Sequence, residues 1–203
     1  MTRSLALFDF DGTITSRDTL FEFILYTKGS VTFLFGMAVL LPIFIAYVLR
    51  IIPNWKAKEL VLSFFFRGMS LEEFQSKCDL FAADRIPHLL RPGALKKILT
   101  HIQQGDRIII VSASPENWVG RWAAMQGLEW IGTRLETINS CITGKITGKN
   151  CYGVEKVARI TEYVDISLFD EIYTYGDTTS DWPMLQLGTS IHFKTFERVE
   201  EDT

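Results

Sequence analysis

Cysteine is scarce in this chain: Cys78, Cys141 and Cys151 are odd in number and form no Cys-x-x-Cys pair. A disulfide scaffold is therefore not expected, and a reducing cytosol suits the chain better. An excess of positive charge is missing too, with 21 Lys and Arg against 24 Asp and Glu, so nucleic acid is not an expected partner. The first residues carry acids where a secretory signal needs an apolar stretch, so no signal peptide is expected. The last absence is local. From Gly29 to Leu49, between Lys28 and Arg50, there is no charged residue. That run is about long enough to cross a bilayer as one helix.

At 203 residues, 47% of them hydrophobic, the chain suits one domain or a domain with an inserted subdomain. Leu5 to Phe8 is a short apolar run, as a strand buried on both faces would be. It stops at Asp9-Phe10-Asp11-Gly12-Thr13. Two acids this close repel unless a cation or a shared proton relieves them, and hard oxygen ligands suit Mg²⁺. Taken alone, the pair reads equally well as a turn.

Ser16-Arg17-Asp18-Thr19 reads as a helix start capped by Asp18 or Ser16. Asp18 lies near the acidic pair, so it is a candidate for the substrate as well as for the cap. A helix from Trp55 to about Phe66 ends at Gly68, and Ser70 with Glu73 signals the next by a capping box. Pro87 and Pro92-Gly93 mark a return linker. Residues 19–90 therefore read as all helical, whereas the flanks alternate strand and helix. The expected fold class is α/β: a Rossmann-like parallel sheet flanked by helices, residues 1–18 and 91–203, with an inserted all-helical cap over 19–90.

After a helix over 94–104, Arg107 to Val111 is a second buried strand, ending in Ser112-Ala113-Ser114-Pro115. A serine there, beside a helix start, suits an anion or an ordinary cap. Leu128 to Ile146 reads as a hairpin or ribbon turning at Gly144-Lys145. Lys156 lies near the start of a helix, where it opposes the dipole. A third strand, Glu171 to Tyr175, ends in Gly176-Asp177-Thr178-Thr179-Ser180-Asp181. Asp181 is also a good cap for the helix that follows, and Asp177 has no such role. Ser190 to Phe193 is a last strand, and the acidic tail from Glu197 is expected to fray. If the strands are parallel neighbours, their tips converge. Lys156, Ser112 and the backbone N–H groups after Asp9 suit a phosphate, and Asp9, the Asp11 carbonyl and Asp177 suit Mg²⁺.

Asp-x-Asp-Gly-Thr, a strand-ending serine, a helix lysine and Gly-Asp-x-x-x-Asp, in that order, resemble the four motifs of the haloacid dehalogenase-like superfamily. The place of the insertion and Cys-Tyr-Gly-x-x-Lys-Val around Lys156 resemble subfamily IB, the phosphoserine-phosphatase-like branch. The resemblance implies a Mg²⁺-dependent phosphatase with Asp9 as nucleophile and Asp11 as acid and base. It implies a phosphate site of Gly12, Thr13, Ser112, Ala113 and Lys156. The ion would be held by Asp9, Asp11 and Asp177, with Asp181 bracing its ligands or a coordinated water. Aspartate at position 11 favours phosphate chemistry over dehalogenation.

The apolar run 31–52 bears on the substrate. A single crossing would separate Asp9 from its partners, and Pro42 is expected to split the run into halves of about 11 residues, too short to span. A helical hairpin remains, covered by a membrane surface, by a second copy in a homodimer or by the cap itself. Lys28, Arg50, Lys56, Lys58, Tyr47 and Trp55 suit an interfacial position. A membrane-dipping cap resembles the phosphatidylglycerophosphate phosphatase branch, with a lipid phosphate as substrate. A plain cap suits a small phosphomonoester such as phosphoserine, with Asp18 and Arg67 as candidates for its charges. Transfer to another alcohol and a catalytically idle membrane- or partner-binding module are the alternatives. The expected location is cytoplasmic or peripheral at the inner face of the membrane.

Overall fold

The apolar run that opens the chain becomes the middle of a sheet in the structure, a computed structural model that describes residues 3–197. The tail expected to fray lies, from residue 198, outside the described residues. β1 (Ser4–Phe8) pairs in parallel with β2 (Arg107–Pro115) on one side and β6 (Glu171–Gly176) on the other. β3 (Glu129–Thr133) and β7 (Ser190–Phe193) complete a five-stranded parallel sheet in the order β3-β2-β1-β6-β7. A central parallel strand is covered on both faces, which is why its sequence has no polar interruption. Ala6 and Phe8 face one core with Ile108, Ile110 and Tyr175, and Leu5 and Leu7 face the other with Ile109, Val111 and Ile172. Phe8 lies opposite Ile110 and Tyr175, so Asp9, Ser112 and Asp177 follow at one edge. That edge is where open α/β sheets hold ligands.

Between β1 and β2 the chain is helical: α1 (Thr19–Val48), α2 (Asn54–Phe66), α3 (Leu71–Leu80) with a π turn and a 3-10 turn to Leu89, then α4 (Pro92–Gln104). The ends of the insertion are stitched together where they leave the sheet. Ser16 N–H donates to the Leu89 carbonyl at 2.7 Å and Arg91 N–H to that of Ile14 at 2.8 Å.

The division expected at Pro42 is not there. Pro42 lies within α1, and the residue that departs from helical angles is Gly29, at φ 75° and ψ 165°. Proline costs a helix one N–H bond, and the carbonyl left over, that of Ala38, belongs to an exposed residue that water can serve. Gly29 adopts a conformation essentially closed to other residues and breaks the direction instead. The helical hairpin forms between α1 and α2, turning at residues 49–53. A Cβ on Gly36 would meet the Phe65 ring at 2.2 Å, so this glycine lets the two helices touch.

The turn expected at Gly144-Lys145 is also elsewhere. β4 (Leu135–Ile138) and β5 (Cys141–Ile146) turn at Asn139 and Ser140, with φ 50° and 58°, the two positive values a tight hairpin turn needs. Gly144 sits inside β5, where a Cβ would lie 2.3 Å from the Ser63 Cα. Its bareness admits α2, not a reversal. The stretch expected to be only a hairpin also supplies β3 to the main sheet. The remaining helices are α5 (Glu116–Met125), α6 (Val154–Tyr163) and the single turn α7 (Trp182–Leu185).

Candidate active site

Asp9, Lys156 and Asp181 form a buried cluster at the carboxyl edge of the sheet. Lys156 Nζ donates to Asp9 Oδ1 at 2.5 Å and to Asp181 Oδ1 at 2.7 Å, and all three residues are buried. The misfit of a lysine near the start of α6 is thereby explained: it neutralises two acids from other elements. Burial disfavours the Lys156 cation, but the charges of Asp9 and Asp181 outweigh it and raise its pKa above the ordinary value. Burial likewise pushes the Asp9 carboxyl well above its usual range against the pull of Lys156. Asp181 is held below its usual range: burial opposes this, but Lys156's charge and hydrogen bonds from Lys156 and Thr178 prevail.

Asp181 does not cap the helix after it. Its Oδ2 accepts from Thr178 N–H at 3.1 Å and from the Thr178 hydroxyl at 2.8 Å, so the side chain turns back toward the cleft. Asp177 lies beside it and accepts from the Thr13 hydroxyl at 3.1 Å. A Cβ on Gly12 would lie 2.1 Å from the Asp177 carboxylate, so the glycine of the first motif leaves room for the acid of the last. Burial first, and Asp181's charge second, raise the Asp177 pKa.

Carboxylate oxygens of Asp9, Asp177 and Asp181 lie within 4.8 Å of one another. Three acids face one lysine here, and burial with mutual repulsion raises two of their pKa values. This donor set of hard oxygens fits a divalent cation such as Mg²⁺. The Asp11 side chain is engaged elsewhere: Oδ1 accepts from Thr19 N–H at 2.7 Å and the Thr19 hydroxyl at 2.5 Å, and Oδ2 from the Ser112 hydroxyl at 3.2 Å. The Thr19 hydroxyl accepts in turn from the buried Trp118 indole at 3.0 Å.

Asp9, Asp11, Asp18, Ala113 and Lys156 line one cleft of about 170 Å³, together with Lys58, Asn54, Ser114 and Tyr152. Ser112 lies just behind this wall, fully buried, where it orients Asp11. Asp18 caps α1, accepting from Leu20 N–H at 2.9 Å, and stands at the mouth of the cleft. Although water reaches it, the surrounding protein and then the charge of Asp11 push its pKa up to about 6.

Arg67 is not part of the site. It is exposed beyond the last turn of α2, whereas Asn54 and Lys58, in the first turns, reach the cleft. Lys58 had suggested a membrane-flanking cation. Its ammonium instead points inward, donating to the Ala113 carbonyl at 2.7 Å and Asn150 Oδ1 at 3.4 Å. Burial lowers its pKa, against the pull of Asp18 and Asp11. Thr19 and Trp118 carry no distinguishing signal, since each fits an ordinary helix, and Lys58 carries one only for a membrane-facing position. Tyr152 stood inside a motif noted for Lys156 alone.

Sheet, strand-end acids and helical insertion together define a class of Rossmann-like, carboxylate-centred hydrolases. The chain belongs to the haloacid dehalogenase-like hydrolases, whose family model matches residues 6–186. It is 33% identical over 196 residues to Protein CicA of Caulobacter vibrioides, covering 95% of this chain and 86% of that one. A Bordetella pertussis Tohama I protein of unknown function superposes with a TM-score of 0.80 at 25% identity, over 93% of this chain and 88% of that one. A phosphoserine phosphatase, solved as a phospho-aspartyl intermediate analogue, superposes with a TM-score of 0.60 at 19% identity, over 93% and 84% of the two chains. At that identity the likeness concerns the fold.

Proposed function

We propose that this chain is a Mg²⁺-dependent phosphomonoester hydrolase that works through a phosphoaspartate on Asp9. The observation that carries the reading is the Asp9–Lys156–Asp181 cluster, with Asp177 beside it and Asp11 two residues from the nucleophile. Lys156 binds Asp9 Oδ1, which leaves Oδ2 to attack phosphorus. As the new P–O bond forms and the ester P–O bond breaks, protonated Asp11 gives its proton to the departing alkoxide. In the second step Asp11 takes a proton from water as the water oxygen attacks phosphorus, and Asp9 is released with inorganic phosphate. Thr19 and Ser112 hold Asp11 in one orientation for both transfers. The phosphoryl oxygens meet Lys156 and the backbone of Gly12, Thr13 and Ala113. Asp9 and Asp177, with the Asp11 carbonyl, would hold the ion, Asp181 beside them would brace its ligands or a coordinated water, and the ion would supply charge neutralisation at the phosphoryl group.

The test is release of phosphate from p-nitrophenyl phosphate. The expected result is Mg²⁺-dependent turnover that falls by on the order of a thousandfold or more in Asp9→Asn. No metal dependence, or an unaffected Asp9→Asn protein, would overturn the reading.

The substrate we propose is a small phosphomonoester or a lipid head-group phosphate, met at a membrane surface on the cytoplasmic side. Support comes from α1. It is long and apolar enough by length and composition to cross a bilayer, yet 11% of its most apolar window is buried. Chain from both ends of α1 builds one site, so the helix lies on a surface instead of spanning. Exposed Val31, Leu34, Phe35 and Ile45 face outward, with Lys28 and Arg50 at the ends of the run. Anionic head groups suit those cations.

A further inference from the structure

We propose that the alcohol half of the substrate occupies a second subsite outside the catalytic cleft, one that takes an extended apolar chain. This rests on the phosphatase reading and adds to it where selectivity resides. A cavity of about 580 Å³ lies between the start of α2 and the start of α6, walled by Pro53, Trp55, Ile146, Tyr152 and Val154. Asn54 and Tyr152 line both this cavity and the catalytic cleft, so the two are neighbours through a shared wall. The cleft, at about 170 Å³, is smaller than the usual range for sites that enclose a ligand. It has room for the phosphoryl group and the atoms next to it. The neighbouring cavity falls within that range.

The character of the occupant follows from which groups on the wall are still free. Glu59 accepts from Ile146 N–H at 3.1 Å and from Lys56 at 3.3 Å. Glu155 is paired with Arg159 at 3.2 Å and Lys149 at 3.7 Å. Asn150 accepts from the Thr133 hydroxyl at 2.9 Å and from Lys58, and donates to Asn54 Oδ1 at 2.9 Å. Glu59, Glu155, Asn150 and Asn54 thus already have partners within the protein. The surface left over is apolar and wet: Trp55 is 46% exposed and Val154 76%. A polyhydroxylated or zwitterionic leaving group would find few partners there, whereas an alkyl chain would displace water from tryptophan and valine. A hollow beside Tyr47, Arg50 and Ile51, at the tip of the α1–α2 hairpin, shares Asn54 and Tyr152 with both. The three therefore adjoin around these two residues, which puts the cavity between the hairpin tip and the cleft's own neighbourhood.

The experiment measures kcat/KM for a series of alkyl phosphates from butyl to decyl, kept below their critical micelle concentrations, with p-nitrophenyl phosphate as the short reference. The expected result is a rise of about three- to fourfold per methylene until the cavity is full. Val154→Glu places a carboxylate in the cavity wall at a first-turn helix position that favours an acid. It should flatten the series while leaving p-nitrophenyl phosphate turnover within about twofold of wild type. Trp55→Ala should reduce the slope without changing the reference. A flat series with an active reference overturns the subsite and leaves the phosphatase reading standing. So does a slope that survives both substitutions, or a chain-length gain confined to phosphates embedded in vesicles. An inactive reference overturns both readings.

Discussion

The Asp11 carboxylate is held by a chain of two residues, Thr19 and then Trp118. Thr19→Val removes the hydroxyl, keeps the shape and leaves the Trp118 indole without its acceptor. We expect kcat to fall by on the order of ten- to a hundredfold with KM little changed. A stability loss of about 1–3 kcal/mol should accompany it from the orphaned donor. Steady-state kinetics and thermal melts check the two parts. The acidic cluster offers a readout separate from turnover. Mg²⁺ bound to the folded state alone raises Tm in proportion to RT ln(1 + [L]/Kd). Adding Mg²⁺ to wild type should therefore raise Tm, EDTA should reverse the rise, and Asp177→Asn should abolish it. At this scale the sequence discloses what is chemically costly. Acids that interrupt apolar strands, and a lysine at the wrong end of a helix, stand out because nothing else explains them. Lys58 and Thr19 do not, because a helix with a lysine on it, or a threonine in its first turn, already has a sufficient explanation. Their roles exist only once the starts of α1 and α2 are brought to the edge where β1 ends.

The junction between α1 and the turns after α3 rests on Glu22, which accepts from Arg85 at 2.7 Å and from Arg17 at 3.0 Å. Burial alone would raise its pKa, but hydrogen bonds from Arg85 and Arg17 prevail and hold it below the usual value. The associated stability is present above the unfolded-state pKa, about 4.3, and is lost as pH falls through the lower folded value. Glu22→Gln should therefore lower Tm by about 2–4 °C at about pH 7. The gap should close below about pH 4, which melts across a pH series would show. The elements were largely legible where apolar runs, periodicity and capping residues agree: β1, β2, β6, β7, the start of α1 and the helices from α2 onward. The misreadings share a cause. Gly144 and Pro42 look like breaks in one dimension, but each answers to a neighbour in three. Gly144 makes way for Ser63 and Pro42 lies where solvent satisfies the carbonyl it frees. The reversals fell to Asn139-Ser140 and residues 49–53, and the change of direction to Gly29.

At the scale of the whole molecule, the apolar arm of α1 stands uncovered, with Val31, Leu34, Phe35, Val39 and Ile45 all exposed. Its outward residues should carry the protein to a bilayer. Co-flotation with vesicles containing anionic lipid should be strong for wild type and fall by about tenfold or more for Leu34→Glu with Phe35→Glu. Turnover of p-nitrophenyl phosphate should be unchanged, since neither residue lines the cleft. Unchanged flotation would sink the membrane reading, and a dimer that the same pair of substitutions dissolves would assign this face to a second copy instead. Thr19, finally, begins this same helix while also binding Asp11. Where the inserted helix begins therefore also fixes where that carboxylate points, and the break at Gly29 leaves the outer arm free to meet its surroundings without disturbing this anchor.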